Sequence, residues 1–321
     1  MLDFISRQRK MFYSLPSWMP KINIKLLTTL FCLSFVGSSI YSNFDDLANQ
    51  TITNKEIIWL LGGVIFSFTS IIINAYAWKL LINNIGCYSN SFNIIKIFIN
   101  TNIFKYFPGG IWHFVSRYKS LRVYFSNEKS LESILLEPIL MLVAGLIFVP
   151  FGSVNLLVSV ICWSSTLVFL NGFRGFIIKN LRTMKANIFN SKNEVNATSL
   201  SHYKNDISIK ISYPYKPLFV ESSFIIFRYF GFLCCINAFS IGSLISHGEL
   251  ISCFSLAWVI GLVVPAAPGG MGVFESAILL RLGSEIPEGP LLAALLCYRL
   301  VVMLSDILSA LIYPVKRLLR I

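Results

Sequence analysis

Charge is scarce in this sequence: Asp, Glu, Lys and Arg make up 13% of 321 residues, against roughly 25% in an average soluble domain. So few ionised groups could not cover a compact soluble body of this size, and a disordered chain would need more of them. Histidine is rarer still, with three. There is no Cys-x-x-Cys pair, no Cys/His cluster with zinc spacing and no Asp-x-x-Asp, so no metal site is expected. Of the seven cysteines, Cys32, Cys162, Cys234, Cys235, Cys253 and Cys297 fall in apolar runs and Cys87 in a short polar stretch. They read as small buried hydrophobes rather than a disulfide framework. A nucleotide-binding motif is also missing, and only His113 among the histidines sits at membrane depth. No cofactor, no catalytic residue and no enzymatic activity are therefore expected. Residues 1–23 are polar and basic, without the apolar core of a cleavable signal peptide.

Apolar residues fill the space that charge leaves, at 55% of the chain with a mean hydropathy of +0.69. The expectation is an all-α polytopic membrane protein, each crossing of a ~30 Å core taking about 20 helical residues. Six segments qualify as full spans: 24–41, 57–81, 134–150, 153–171, 219–244 and 291–313. No charged residue occurs between Glu137 and Arg174, a stretch too long for one helix, and Pro150, Gly152 and Asn155 mark the turn dividing it. The stretches 94–116 and 250–280 are each interrupted by Pro-Gly-Gly and read as re-entrant hairpins.

The net charge of +12 gathers in four blocks. Arg7, Arg9, Lys10, Lys21 and Lys25 precede the first span; Arg117, Lys119, Arg122 and Lys129 precede the third; eight more lie in 172–218, and Lys316, Arg317 and Arg320 end the chain. The positive-inside rule places all four on the cytoplasmic face of the cell (inner or plasma) membrane only if both hairpins join six full crossings. Both termini are then cytoplasmic, and Asp45, Asp46, Glu56, Glu249, Glu285 and Glu288 lie outside with Lys55 and Arg281. The chain divides into a cytoplasmic segment 1–23, a membrane repeat 24–171, a basic loop 172–218, a second repeat 219–313 and a tail 314–321.

Pro108-Gly109-Gly110 and Pro268-Gly269-Gly270 lie 160 residues apart, and Phe114 with Phe274 and Ser116 with Ser276 match at that offset. The same shift lays span 57–81 over 219–244 and 134–150 over 291–313, in opposite crossing directions. This is an inverted-topology repeat, the construction of many transporters. Broken helix tips at membrane depth are tolerated where they are buried or line a cavity. The N–H groups of the half-helix that follows each tip suit an anion; the rival reading is that the glycines merely allow close packing. Ionisable residues within the apolar segments are Lys105, His113, Arg228, Arg299, Glu137, Glu275 and Asp306, each costly enough to need a partner or a task. Arg228 and Arg299 read equally as buried partners of Glu137 or Glu275, Asp306 as a partner of Arg299, and His113 as a packing residue.

The run Lys105-Tyr106-Phe107-Pro108-Gly109-Gly110-Ile111-Trp112, followed by Glu137, resembles the first half of the lysylphosphatidylglycerol synthase transmembrane-domain family. Pro265-Ala266-Ala267-Pro268-Gly269-Gly270-Met271-Gly272-Val273-Phe274-Glu275 is similar to its second hallmark, and Arg299 falls where that family tends to carry an arginine. Phe104 departs from the pattern, which often has Gly before the Lys-Tyr pair. Eight residues follow Tyr313, so the aminoacyltransferase domain of bifunctional members is not expected. The resemblance implies a flippase-like lipid translocase that moves or presents an anionic lipid, phospholipid or polyprenyl-phosphate-linked. The candidate substrate-contacting residues are Lys105, Pro108, Gly109, Gly110, Trp112, His113, Glu137, Arg228, Pro268, Gly269, Gly270, Glu275 and Arg299. The alternative is a non-catalytic accessory subunit whose basic loop recruits a cytosolic glycosyltransferase or another envelope-biosynthesis enzyme. No nucleic-acid partner is expected.

Overall fold

A computed structural model describes residues 54–88, 91–106, 111–170, 213–264 and 272–312. The expected first span 24–41, the basic loop as far as residue 212 and both Pro-Gly-Gly tips lie outside the described residues. Within them the chain is all-helical, with nine α-helices and no strand. They are α1 (Asn54–Asn84), α2 (Ser91–Asn102), α3 (Trp112–Leu121), α4 (Asn127–Leu146), α5 (Leu156–Ser164), α6 (Tyr215–Ala238), α7 (His247–Val263), α8 (Val273–Leu282) and α9 (Glu288–Ile312).

Four helical stretches are long and apolar enough to cross a membrane: Asn54–Asn84, Asn127–Phe151, Tyr215–Ala238 and Glu288–Leu311. Helix α9 shows the reason most plainly. Leu300, Met303, Leu304, Ile307, Leu308 and Leu311 form one exposed stripe at helical spacing, while Leu291, Leu295, Tyr298, Val302, Ser305, Asp306 and Ser309 are buried. The apolar face points outward and the polar residues inward, the reverse of a water-soluble helix.

The segment expected to span over 153–171 is shorter. Nine residues of α5 run into a five-residue 3₁₀ turn, Ser165–Phe169, together about 24 Å long. The physical reason lies in its hydroxyls. Ser164, Ser165 and Thr166 donate back to the carbonyls of Ile161, Cys162 and Trp163 at 2.8, 2.6 and 2.8 Å, and such back-bonding competes with the α-helical ladder.

The helices repeat. Starts at 112 and 127 recur at 273 and 288, a constant shift of 161 residues, one more than the offset between the Pro-Gly-Gly motifs. The equivalent helices α1 and α6 pack against each other along their length. A Cβ built on Gly62 would touch Cys234, and one on Gly63 would come 3.2 Å from the Gly231 carbonyl; Phe66 meets Phe230 at 5.5 Å between ring centroids. The partner number falls as the α1 number rises, so the two run antiparallel, brought close by glycines.

Each half has its own core. In the first, Trp78 and Phe98 pack at 5.6 Å. In the second, Phe232, Phe254, Phe274 and Tyr298, one ring from each of α6, α7, α8 and α9, touch one another in all six pairings at 5.3–6.1 Å. This four-ring knot fixes the backbone next to Glu275 and Arg299.

Candidate functional site

Two ion pairs stitch corresponding elements of the two halves with their charges exchanged. In the first half the cation is on the short helix and the acid on the long one: Arg117 of α3 pairs with Glu137 of α4. In the second half Glu275 of α8 pairs with Arg299 of α9, whose Nη2 also donates to Glu275 Oε2 at 3.2 Å.

Glu275 does a second job. Its Oε2 accepts the Gly272 N–H at 2.7 Å, closing the first turn of α8 at a glycine whose φ of 87° disfavours any side chain. The positive end of α8 therefore already faces a carboxylate of its own chain. Arg299 also lies over the Phe274 ring, 5.2 Å from its centroid.

A third pair reaches across the halves. Asp306 of α9 accepts from Lys105 Nζ at 2.8 Å, from Tyr106 Oη at 2.5 Å and from Asn102 Nδ2 at 2.7 Å. Lys105 and Tyr106 belong to the 3₁₀ turn Ile103–Tyr106 that follows α2. Arg299 and Asp306 are seven residues apart, on one face of α9, two turns or about 10.5 Å along the axis. Helix α9 is thus tied to the chain before the first break and to the helix after the second. The expected alternative of an Arg299–Asp306 pair is corrected: Asp306 is taken by Lys105.

Arg228 of α6 is the unmatched member. It is 6% exposed, its Nη1 is buried with no hydrogen-bond partner among the described residues, and its guanidinium lies 5.7 Å from the Phe224 ring centroid. Its charge acts on Lys105, Tyr106 and Tyr298, so it belongs to the same cluster. Three cations, Lys105, Arg228 and Arg299, thus face two acids, Asp306 and Glu275. A partner in Glu137 is corrected, because Glu137 belongs to Arg117.

Arg117 is the largest departure from the linear charge map. It is 1% exposed, although the sequence groups it with the cytoplasmic basic residues. Its guanidinium lies over the rings of Phe98 at 3.8 Å and Trp78 at 5.4 Å, and Nε donates to Thr101 Oγ1 at 3.2 Å. A planar, weakly hydrated guanidinium can be buried this way where an ammonium is not. His113 is within reach of the charges on both Arg117 and Lys105, its Nδ1 is buried without a partner among the described residues, and its ring packs on Phe114 at 3.9 Å. Trp112 is half exposed at the start of α3. Pro108, Gly109, Gly110, Pro268, Gly269 and Gly270 lie outside the described residues.

Sequence reasoning missed Glu221, 1% exposed on α6 with its Oε1 unpartnered among the described residues. Its signal was the seven-residue spacing to Arg228, which puts both on one helix face. Among the described residues no group of three or more His, Cys, Asp or Glu could hold a metal ion.

A separate clamp gathers where the candidate span Asn127–Phe151 ends. Glu249, in the first turn of α7, accepts the Ser153 N–H at 2.7 Å and pairs with Arg281 of α8. Ser252 Oγ donates to the Val149 carbonyl at 2.5 Å. The Ser153 backbone N–H, with the Arg281 guanidinium and against the effect of burial, holds the Glu249 carboxyl below its usual range. A depressed carboxyl stabilises the fold above its unfolded-state pKa, and that contribution is lost as pH falls through the folded one. Thermal stability of the wild type should therefore drop relative to Glu249→Gln between about pH 5 and pH 3. Parallel pH profiles of the two proteins would rule out the clamp as an acid-sensitive element.

No protein-family model and no curated protein matches the chain.

Proposed function

We propose that this protein is a non-enzymatic, flippase-like lipid translocase of the cell membrane, a stand-alone relative of the lysylphosphatidylglycerol synthase transmembrane-domain family. The anionic head group of a phospholipid or polyprenyl-phosphate-linked lipid binds between the two chain breaks. One observation carries this reading: Arg228 is buried with Nη1 unpartnered among the described residues, in the cluster that also holds Lys105 and Arg299, each of which has an acid. A buried cation without a counter-ion costs far more than a paired one. An incoming phosphate would supply the missing charge, and a guanidinium can hold it through two parallel hydrogen bonds.

The finer topology belongs to the same proposal. It comprises six crossings, two re-entrant hairpins entering from opposite faces, an inverted repeat and cytoplasmic termini. Three features support it. The helix starts recur at a constant shift, the equivalent helices α1 and α6 run antiparallel, and helices flanking each break are short, with 12 and 10 residues at the first and 17 and 10 at the second. Arms of that length do not cross a ~30 Å core alone. The Pro-Gly-Gly tips would then place backbone N–H groups beside the head group.

The test is transbilayer movement in proteoliposomes containing the full chain. Fluorescent phosphatidylglycerol should equilibrate between leaflets faster than fluorescent phosphatidylcholine, and Arg228→Gln should slow the anionic lipid by about tenfold, equivalent to ~1.4 kcal/mol. Equal rates for the two lipids, or an unaffected variant, would overturn the assignment.

A further inference from the structure

Helix α6 carries a second unmatched charge. Glu221 lies two turns before Arg228 and is 1% exposed; Glu137 on α4 is 3% exposed. Among the described residues, the charges acting on Glu221 are those of Glu137 and of Arg117 on α3. Arg117 pairs with Glu137 through one carboxylate oxygen, leaving Glu137 Oε2 and Glu221 Oε1 each buried without a partner among the described residues. Helix α1 adds no charge here. The antiparallel register fixed by Gly62 with Cys234 and Phe66 with Phe230 brings Asn74 level with Glu221, and Asn74 Oδ1 is likewise buried and unpartnered. An amide oxygen there can accept a hydrogen bond from a protonated carboxyl but gives nothing to a carboxylate.

One cation thus serves two carboxyl groups in an apolar interior. Two like charges sharing a buried site do not both ionise when a single counter-charge is present. We infer that Glu221 and Glu137 around Arg117 form a proton-binding site holding one exchangeable proton. The proton leaves one carboxyl oxygen as H⁺ and returns to either acid, with no other bond made or broken. When it is bound, the trio is neutral; when it is released, the trio carries one negative charge two turns from Arg228 on the same helix. This inference concerns the folded chain itself and does not depend on what lipid, if any, Arg228 binds.

The experiment is infrared difference spectroscopy of the full chain purified in detergent. It compares the wild type with Glu221→Gln and with Glu137→Gln at neutral pH, in water and in deuterium oxide. The wild type should show a carboxylic-acid C=O band that shifts on deuteration and bleaches on alkaline titration. Either single substitution should abolish it, because the remaining acid then has Arg117 to itself and ionises. That reciprocal loss separates a shared proton from an acid protonated for its own local reasons. A band that survives both substitutions, or its absence from the wild type, overturns the inference. The amide of Glu221→Gln imitates the protonated acid, so this variant should fold with wild-type stability, and a circular dichroism melt confirms that loss of the band is not loss of the fold.

Discussion

Arg117→Gln is expected to destabilise the protein by about 3–5 kcal/mol, the usual cost of removing one partner from a buried ion pair. Among the described residues the guanidinium is the only cation acting on Glu221; it is also the partner of Glu137, and it fills the space over Phe98 and Trp78. A glutamine leaves the carboxylate of the Glu137–Glu221 pair without its counter-charge and an unfilled gap against the aromatic rings. The deficit should shrink as pH falls, because each proton taken up removes one stranded charge. Unfolding titrations in SDS at neutral and mildly acidic pH measure it. A variant as stable as the wild type at neutral pH would mean that Arg117 reaches water and is not the buried counter-ion described.

The second large effect concerns Glu275 and Arg299. Glu275→Gln alone removes the carboxylate that pairs with Arg299 and weakens the Gly272 turn at the start of α8; Arg299→Gln alone takes the guanidinium from a carboxylate that is 3% exposed. Each single substitution should cost about 3–5 kcal/mol, and the double substitution should cost clearly less than the two together. Glu275 also holds the N-terminal turn, so the double variant is not expected to recover fully. Activity separates the roles further. If Arg299 only neutralises Glu275, lipid movement returns with stability in the double variant. If it also contacts the lipid, stability returns and movement does not. Strict additivity of the two stability losses would contradict the pairing itself.

Much of the frame was legible in the sequence because hydrophobic length and helical period are local properties. The long apolar runs around 57–81, 219–244 and 291–313 became α1, α6 and α9 with ends displaced by a few residues. The 160-residue offset between the two Pro-Gly-Gly motifs lies within one residue of the shift that carries the helix starts at 112 and 127 onto those at 273 and 288. The segment over 153–171 misled because hydropathy counts Ser164, Ser165 and Thr166 as only mildly polar, while their hydroxyls bond to the backbone and tighten the helix.

The charge map failed where partners come from distant parts of the chain. Arg117 stands two residues from Lys119 and five from Arg122, and nothing local separates a buried guanidinium from exposed ammonium groups. Its partner Glu137 is a helix away, and the aromatic surface that accepts it comes from α1 and α2. Glu221 lies near the start of an expected span, where an acid reads as interfacial. Only the packing of α6 against α1 and α4 buries it. Lys105, Glu275 and Arg299 were identifiable because charge inside an apolar run always asks for a reason. Their actual pairing, with Asp306 going to Lys105, required the third dimension.

Equilibrium binding by the detergent-purified chain is the direct measure of whether the buried positive cluster around Arg228 takes an anion. Phosphatidylglycerol and phosphatidylcholine of identical acyl chains are titrated against the wild type and Arg228→Gln, with a thermal melt of each protein recorded in the same detergent. The wild type should prefer the anionic lipid by about tenfold, ~1.4 kcal/mol. That preference should be lost in Arg228→Gln, with a melting temperature at or above the wild type because an unpaired buried charge has been removed. A variant that keeps the anionic preference, or that loses stability as a broken ion pair does, would show that Arg228 already has a partner within the protein.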